Sequence, residues 1–134
     1  MNWAFDLEDK IYTIIKVKTE KKLKKNYPDI FYTKTDNPKD VITHFPTVYI
    51  HMLPGSEIGM TTEQGSIHGV RCSIQIEVTS KESQSTTQDV LSHVADVLKN
   101  MGFNVTAFPE ANNSKMYYRS IMRASRRIGD AETF

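Results

Sequence analysis

The sequence lacks the residues and segments that mark several classes of protein. Cys72 is its one cysteine in 134 residues, which excludes an intramolecular disulfide framework and a cysteine-rich zinc site. No apolar run approaches the ~20 residues that a membrane-spanning helix needs. The first residues show no cationic start followed by an apolar stretch, so we expect no signal peptide. With 39% hydrophobic and 25% charged residues, the composition is that of an ordinary globular protein.

Motifs for catalysis, phosphate binding and metal binding are also missing. There is no Gly-x-Gly-x-x-Gly pattern and no Gly-Lys-Ser/Thr sequence. The four histidines and the acids near them form no recognisable ligand set: His44, His51, His68 and His93. Cys72 falls in phase with Ile74 and Ile76, which predicts a buried thiol without a catalytic base. We therefore expect no enzyme, no metal and no cofactor.

Positive and negative charges nearly balance, with 17 lysines and arginines against 16 aspartates and glutamates. The charges are nevertheless grouped along the chain. Residues 1–9 carry a net −3, residues 10–25 a net +6, residues 53–114 a net −4 and residues 115–134 a net +3. This grouping indicates a molecule with unlike faces, suited to ordered assembly, unless the charges are simply solvated surfaces that happen to segregate.

Two segments carry the apolar spacing of amphipathic helices. The first is predicted from about Trp3 to Lys25, because a stripe of large apolar residues recurs along it: Trp3, Leu7, Ile11, Ile14 and Ile15. The second follows a predicted N-cap at Ser85, with Gln88 in the capping-box position. Gly102 is predicted to be its left-handed C-terminal cap, with Phe103 folding back on the last turn.

Alternation of apolar and polar residues predicts five strands. The clearest is residues 70–78, and shorter runs predict strands at 30–33, 48–52 and 104–108, the last ended by Pro109. A final strand is predicted over about 115–125, with four residues in phase with one another: Met116, Tyr118, Met122 and Ala124.

These elements occur in the order α-β-β-β-α-β-β. That order predicts an α+β fold, in which a mainly antiparallel sheet has two helices packed on one face. We expect a single domain over residues 1–134, with an extended loop at 54–68 and a short C-terminal tail at 129–134.

A cluster of lysines at the end of the first helix is the strongest charge feature. Its members surround the helix rather than line one side, which predicts a helix end that projects into solvent or towards a partner. The cluster comprises Lys16, Lys18, Lys21, Lys22, Lys24 and Lys25.

A second cationic group lies on the last predicted strand. Arg119, Arg123 and Arg127 recur every four residues, so on an extended strand they share a face with Tyr117 and Ile121. Arginine and tyrosine on an outward sheet face are typical of a protein interface or a nucleic-acid platform. A solvated strand face is the alternative interpretation.

The 15-residue segment 54–68 joins two strong strands and carries no core pattern. Loops of this length in a compact domain are usually functional or disordered. We interpret the segment as an arm that orders against a neighbouring molecule, in preference to a floppy hairpin. Its candidate contact residues are Glu57, Ile58, Met60, Glu63 and Ile67.

The order and spacing of these segments resemble the tail terminator (tail completion, or head–tail joining) proteins of long-tailed bacteriophages. The resemblance covers nearly the whole chain, from the opening helix and the long loop to the strand at 70–78 with Thr79-Ser80-Lys81 after it. It also includes three short stretches: Phe45-Pro46-Thr47-Val48-Tyr49-Ile50, Met101-Gly102-Phe103 and Tyr117-Tyr118-Arg119-Ser120-Ile121-Met122-Arg123.

The resemblance implies a ring, commonly a hexamer, that terminates the tail tube and joins it to the head connector while leaving a lumen for DNA passage. Its partners would be further copies of the chain, the tail tube protein, connector or neck proteins and, transiently, double-stranded DNA. It would be part of the virion, assembled in the host cytoplasm without a membrane. The lysine cluster and the arginine face would contact subunits, the connector or DNA, and the arm would reach along the tube or onto a neighbour.

The residues leave a competing hypothesis open. A small nucleic-acid-binding module could use the lysine-rich helix end together with the Arg/Tyr strand. The net charge of +1 and the lack of an RNP-like aromatic motif count against it. A small hydrolase or transferase is a third hypothesis, and it lacks a catalytic set.

Overall fold

The computed structural model describes residues 6–34, 44–58, 69–111 and 117–129. In these ranges the chain forms two helices and five strands, in the order that the sequence predicts. The elements are α1 (Leu7–Leu23), β1 (Phe31–Thr33), β2 (Thr47–Ile58), β3 (Gly69–Ser80), α2 (Gln84–Asn100), β4 (Asn104–Ala111) and β5 (Tyr118–Gly129). The predicted α+β fold is confirmed.

The strands form one five-stranded sheet in the spatial order β1-β2-β3-β5-β4. The short β1 is parallel to β2, and all other neighbours are antiparallel. The two central strands, β3 and β5, pair without interruption from Gly69↔Gly129 to Ser80↔Tyr118. A long, unbroken central pair gives the sheet one fixed register, and this register decides which side chains share a face.

One face of the sheet is apolar, and both helices pack against it. Ile50, Ile76 and Met122 line up directly across β2, β3 and β5, and all three are buried. The helices add their own apolar stripes to the same core cluster, which includes Leu7, Ile11 and Ile15 of α1 and Val90, Leu91, Val94 and Leu98 of α2. Burial of each such side chain contributes about 1.5–3 kcal/mol, so this layer contact is the main source of stability.

The lysine-rich end of α1 packs on the core, so the prediction that it projects is wrong. The buried positions of α1 continue past Ile15 to Thr19 and Leu23, which are 2% and 1% exposed. Thr19 can be buried because its hydroxyl donates to the carbonyl of Ile15 at 2.6 Å and lies 2.6 Å from the hydroxyl of Tyr32. Tyr12 adds a hydrogen bond from its hydroxyl to the carbonyl of Tyr32 at 3.1 Å, which ties α1 to β1.

The second helix begins two residues earlier than its sequence pattern suggests. Ser83, not Ser85, is the N-cap: its backbone is extended and its hydroxyl accepts a hydrogen bond from the Thr86 N–H at 3.2 Å. Gln84 is then the first helical residue, and its side-chain amide donates to the hydroxyl of Ser120 in β5 at 2.5 Å. This long-range contact fixes the helix start, and nothing near Ser85 in the sequence signals it.

The end of α2 matches its prediction. Gly102 has φ of +85°, the left-handed conformation that glycine adopts without steric cost. The Gly102 N–H donates to the carbonyl of Lys99 at 3.0 Å, and the Phe103 N–H donates to the carbonyl of Leu98 at 2.9 Å. These two bonds form a Schellman motif, and Phe103 is buried beside the last turn as expected.

The predicted loop at 54–68 is partly strand. β2 continues to Ile58 and β3 begins at Gly69, with Ser56 opposite Arg71 and Ile58 opposite Gly69. The register shifts between Leu53 and Ser56, so the strand passes Pro54, which cannot donate a ladder hydrogen bond, through a bulge. The prediction of a loop is therefore wrong for 54–58, while 59–68 lie outside the described residues.

Strand β4 is longer than predicted, and β5 is shifted towards the C-terminus. β4 continues past Pro109 to Ala111, which an edge strand with register shifts can tolerate. β5 ends at Gly129, so that residue belongs to the strand and not to a tail, and residues 130–134 lie outside the described ranges. Tyr118 is 39% exposed and does not share the burial of Met122.

Candidate interaction surface

The sheet face opposite the helices, here called the outer face, is polar and cationic. Both helices lie on the other side, and no described element packs over this face. Its side chains alternate along each strand with those of the core, and most are partly or fully exposed. It comprises Tyr49, His51 and Leu53 of β2, Arg71, Ser73, Gln75 and Glu77 of β3, and Arg119, Ile121, Arg123, Ser125 and Arg127 of β5.

Two arginines stand directly opposite each other on this face. The register pairs Arg71 of β3 with Arg127 of β5, and both are exposed. Neither makes a hydrogen bond or ion pair with another residue of the described ranges. Like charges in directly opposed positions of an antiparallel pair are unfavourable. An anionic group placed between the two guanidinium groups would remove that repulsion.

A third arginine is held in place by its cross-strand neighbour. The Nε of Arg123 donates to Oε1 of Gln75 at 2.8 Å, across the register pair that joins the two residues. On the neighbouring strand β2, the ring of His51, which is the register partner of Gln75, stacks on the ring of Tyr49 with centroids 4.7 Å apart. Among β2, β3 and β5, Glu77 contributes the only carboxylate with a described side chain on this face. The outer face is therefore cationic, with aromatic and aliphatic side chains beside the arginines.

Aromatic rings gather at one end of the sheet, where β2 and β5 begin and β3 ends. Phe45 and Tyr117 stack with centroids 5.6 Å apart, and the Lys81 ammonium lies 4.9 Å from the Phe45 ring. Phe31 stacks on His44 at 5.4 Å and keeps 42% of its surface exposed. The rings come from segments far apart in sequence. Of these residues, the sequence pattern marked only Tyr117 as a surface candidate, because it shares the predicted face of the β5 arginines.

The lysine cluster of α1 does not join the arginine face. Lys16 is partly exposed, and the other five lysines of the cluster are exposed: Lys18, Lys21 and Lys22 on α1, and Lys24 and Lys25 directly after it. Lys24 lies 3.9 Å from the Glu20 carboxylate. Because α1 packs on the apolar face of the sheet, the lysines and the outer-face arginines lie in different layers. The two predicted cationic groups therefore form two surfaces and not one platform.

Two of the five predicted arm residues lie in a described strand, and the other three lie outside the described residues. Glu57 and Ile58 belong to β2 and extend the β2–β3 ribbon. Met60, Glu63 and Ile67 lie outside the described residues. The sequence pattern does not mark Arg71 as a functional residue, although it occupies an outward position in the predicted 70–78 strand. Its pairing with Arg127 depends on strand register, which the sequence does not reveal.

A cavity of about 440 Å³ opens between the two helices and β5. Arg126 is one of three polar residues that line it, and its Nη1 donates to the carbonyl of Met101 at 2.5 Å. This contact satisfies a carbonyl at the C-terminus of α2, where a cation is favourable. The lining residues are Ile14, Lys18, Val97, Asn100, Met101, Gly102 and Arg126. The arginine in this cavity thus serves as part of the helix cap.

Cys72 is buried, and His93 is paired with a carboxylate of its own helix. Burial raises the pKa of Cys72 to about 12, and its Sγ lies 3.3 Å from Sδ of Met52. His93 lies 3.6 Å from the Asp89 carboxylate as a helical i, i+4 pair. Within the described ranges, no group of three or more His, Cys, Asp or Glu residues could hold a metal ion.

Neither α1 nor α2 has the length and apolar character that crossing a membrane requires.

Comparison with known proteins assigns no family to the chain: no protein-family model and no curated protein sequence matches it. Function is therefore inferred from the fold and the outer face.

Proposed function

We propose that the protein forms a closed ring that terminates the tail tube of a long-tailed bacteriophage and joins it to the head connector. The observation that carries this proposal is the outer face. Arg71, Arg123 and Arg127 are exposed and form no ion pair with another described residue. Set among Tyr49, Leu53 and Ile121, they have the composition of a protein–protein interface. The resemblance in element order to tail terminator proteins supplies the particular assembly.

Ring formation requires two different surfaces on each subunit. A heterologous contact joins one surface of a copy to another surface of the next, and it closes when the rotation between copies is a fraction of a full turn. The two layers of this fold meet that requirement, because the outer face of the sheet and the exposed sides of the helices lie on opposite sides of the molecule and carry different residues. An isologous dimer would need a single self-complementary patch instead.

The other predicted features have places in such a ring. The β2–β3 ribbon carries Glu57 and Ile58 beyond the bulge at 54–55, where it can reach the tail tube or a neighbouring subunit. The lysines of α1 form a separate basic surface that can meet the connector or the phosphates of passing DNA. The near-neutral total charge suits a lumen through which DNA must move without tight binding.

Negative-stain electron microscopy of the purified protein, alone and with its tail tube, tests the proposal. We expect closed rings at micromolar concentration and rings capping one end of the tube, with a matching large species in sedimentation velocity. A monomer at every concentration that binds duplex DNA tightly, with a steep dependence on salt, would refute the ring and favour a nucleic-acid-binding module.

A further inference from the structure

Two acids on or beside α2 carry carboxylates that, like the guanidinium groups of Arg71 and Arg127, have no partner among the described residues. Glu82 and Asp96 are exposed, and neither carboxylate forms an ion pair or hydrogen bond with a residue of the described ranges. Asp89 lies between them, where its carboxylate accepts a hydrogen bond from the Tyr27 hydroxyl at 2.7 Å. Asp89 and Asp96 are seven residues apart, so they lie along one side of α2, and Glu82 lies just before the N-cap of the helix. We call this set the acidic side of α2.

The acidic side of α2 and the outer face lie on opposite sides of the molecule. The helix packs on the apolar face of the sheet through Val90, Leu91 and Val94, so its exposed side points away from the outer face. Within one chain the unpaired carboxylates therefore cannot reach the unpaired guanidinium groups. Between two copies related by the rotation of a ring, they can.

We propose that the acidic side of α2 in one copy docks on the outer-face arginines of the next copy. This inference rests on the proposed ring and names the contact that builds it. A carboxylate between Arg71 and Arg127 would accept hydrogen bonds from both planar guanidinium groups and remove their mutual repulsion. Arg123, already oriented by Gln75 at 2.8 Å, provides a second contact point.

The spacings of the two charge sets are similar. Arg127 and Arg123 are four residues apart on an extended strand, or about 13 Å. Asp89 and Asp96 are seven residues apart on a helix, or about 10 Å. A helix laid along β5 can thus place two carboxylates near two arginine positions at once.

The composition of the outer face favours a protein partner over nucleic acid. Duplex phosphates would also satisfy the arginines, but the same face presents Tyr49, Leu53 and Ile121 and the carboxylate of Glu77. Apolar side chains and an acid among the cations suit the mixed surface of a protein helix, since a phosphate backbone offers neither apolar contact nor a cation.

Two charge-reversal variants test the contact in the full chain. The sheet variant carries Arg71→Glu and Arg127→Glu, and the helix variant carries Glu82→Arg and Asp96→Arg. We expect each alone to need at least about a tenfold higher concentration to assemble. Mixed in equal amounts, they should assemble again as alternating rings, because each reversed face then meets its reversed complement. Sedimentation velocity and electron microscopy read out both effects.

Matched controls separate the contact from general charge effects. Arg127→Glu and Lys10→Glu change the net charge equally, and Lys10 is exposed on α1, away from both surfaces. Only Arg127→Glu should weaken assembly. Far-UV circular dichroism and thermal unfolding confirm that each variant is folded.

Four outcomes would overturn the inference. Wild-type rings that persist unchanged in both double variants would leave the ring standing and refute this contact. Folded variants that each fail to assemble and are not rescued by mixing would refute the pairing of these two surfaces. A sheet variant that assembles normally but loses duplex DNA binding would assign the arginines to DNA. A wild-type protein that stays monomeric would refute the proposed function as well.

Discussion

Replacing Leu23 with alanine tests whether the lysine-rich end of α1 belongs to the folded core. The side chain is 1% exposed and lies in the core cluster. Truncation of a buried leucine costs about 2–5 kcal/mol, from lost apolar burial and the cavity left behind. We expect a loss of about 3 kcal/mol in the free energy of unfolding, a large part of the 5–15 kcal/mol typical of a domain.

Urea denaturation followed by far-UV circular dichroism measures this loss. Val17→Ala is the matched control, because Val17 lies on the same helix and is 69% exposed. It should change the free energy of unfolding by no more than about 0.5 kcal/mol, with an unchanged dependence on urea in both variants. A loss below about 1 kcal/mol for Leu23→Ala would refute the packing of this helix end and restore a projecting helix.

Two further predictions concern the cap of α2 and the buried tyrosine. Gly102→Ala should lower the free energy of unfolding by about 1–2 kcal/mol, because a left-handed residue with a Cβ is strained. The new Cβ would also lie 3.3 Å from Nε of Arg126. An unchanged midpoint in urea denaturation would contradict the cap. Burial raises the pKa of Tyr32 to about 12 from its ordinary 10, so its contribution to stability is complete below pH 10 and is lost as the pH rises towards 12. The free energy of unfolding should therefore fall less steeply over this range in Tyr32→Phe than in the wild type, and equal slopes would refute the effect, with Tyr118→Phe as the exposed control.

The sequence predicted the features that depend on local pattern. The alternation in residues 70–78 is complete because β3 is a central strand with helices on one side only, so every second side chain is apolar. Gly102 and Phe103 could be assigned because a Schellman motif is built from residues adjacent in the chain. The order of the elements followed from these patterns and set the fold class.

Features that depend on distant contacts could not be predicted. Thr19 looks like a solvent-facing residue among lysines, and its burial is favourable because its hydroxyl bonds the Ile15 carbonyl and also meets the hydroxyl of Tyr32, which lies 13 residues away in the chain. Pro54 and Pro109 look like strand ends, but a bulge and an edge position allow the strands to continue past them. The rule that proline ends a strand therefore predicts the ends of β2 and β4 too early in the chain.

The candidate surface was predicted in part. The shared face of Arg119, Arg123 and Arg127 follows from spacing alone, and the structure places all three on the outward side of β5. The opposition of Arg71 and Arg127 requires the β3–β5 register, and the position of the acidic side of α2 requires the helix to be docked. Both are properties of the assembled fold and have no local signal.

The adjacent arginines of β5 also protect the fold against a competing strand alignment. Arg126 points inward to the Met101 carbonyl, while Arg127 lies on the outer face. A slip of β5 by one residue would turn Arg123 and Arg127 towards the helices and expose Met122 and Ala124 to water. The charges offered to a partner thus also penalise misfolded pairings. Replacing Arg123 or Arg127 by another polar residue would keep this penalty, whereas an apolar residue would remove it. The same side chains therefore serve both the contact with a partner and the alignment of the strand.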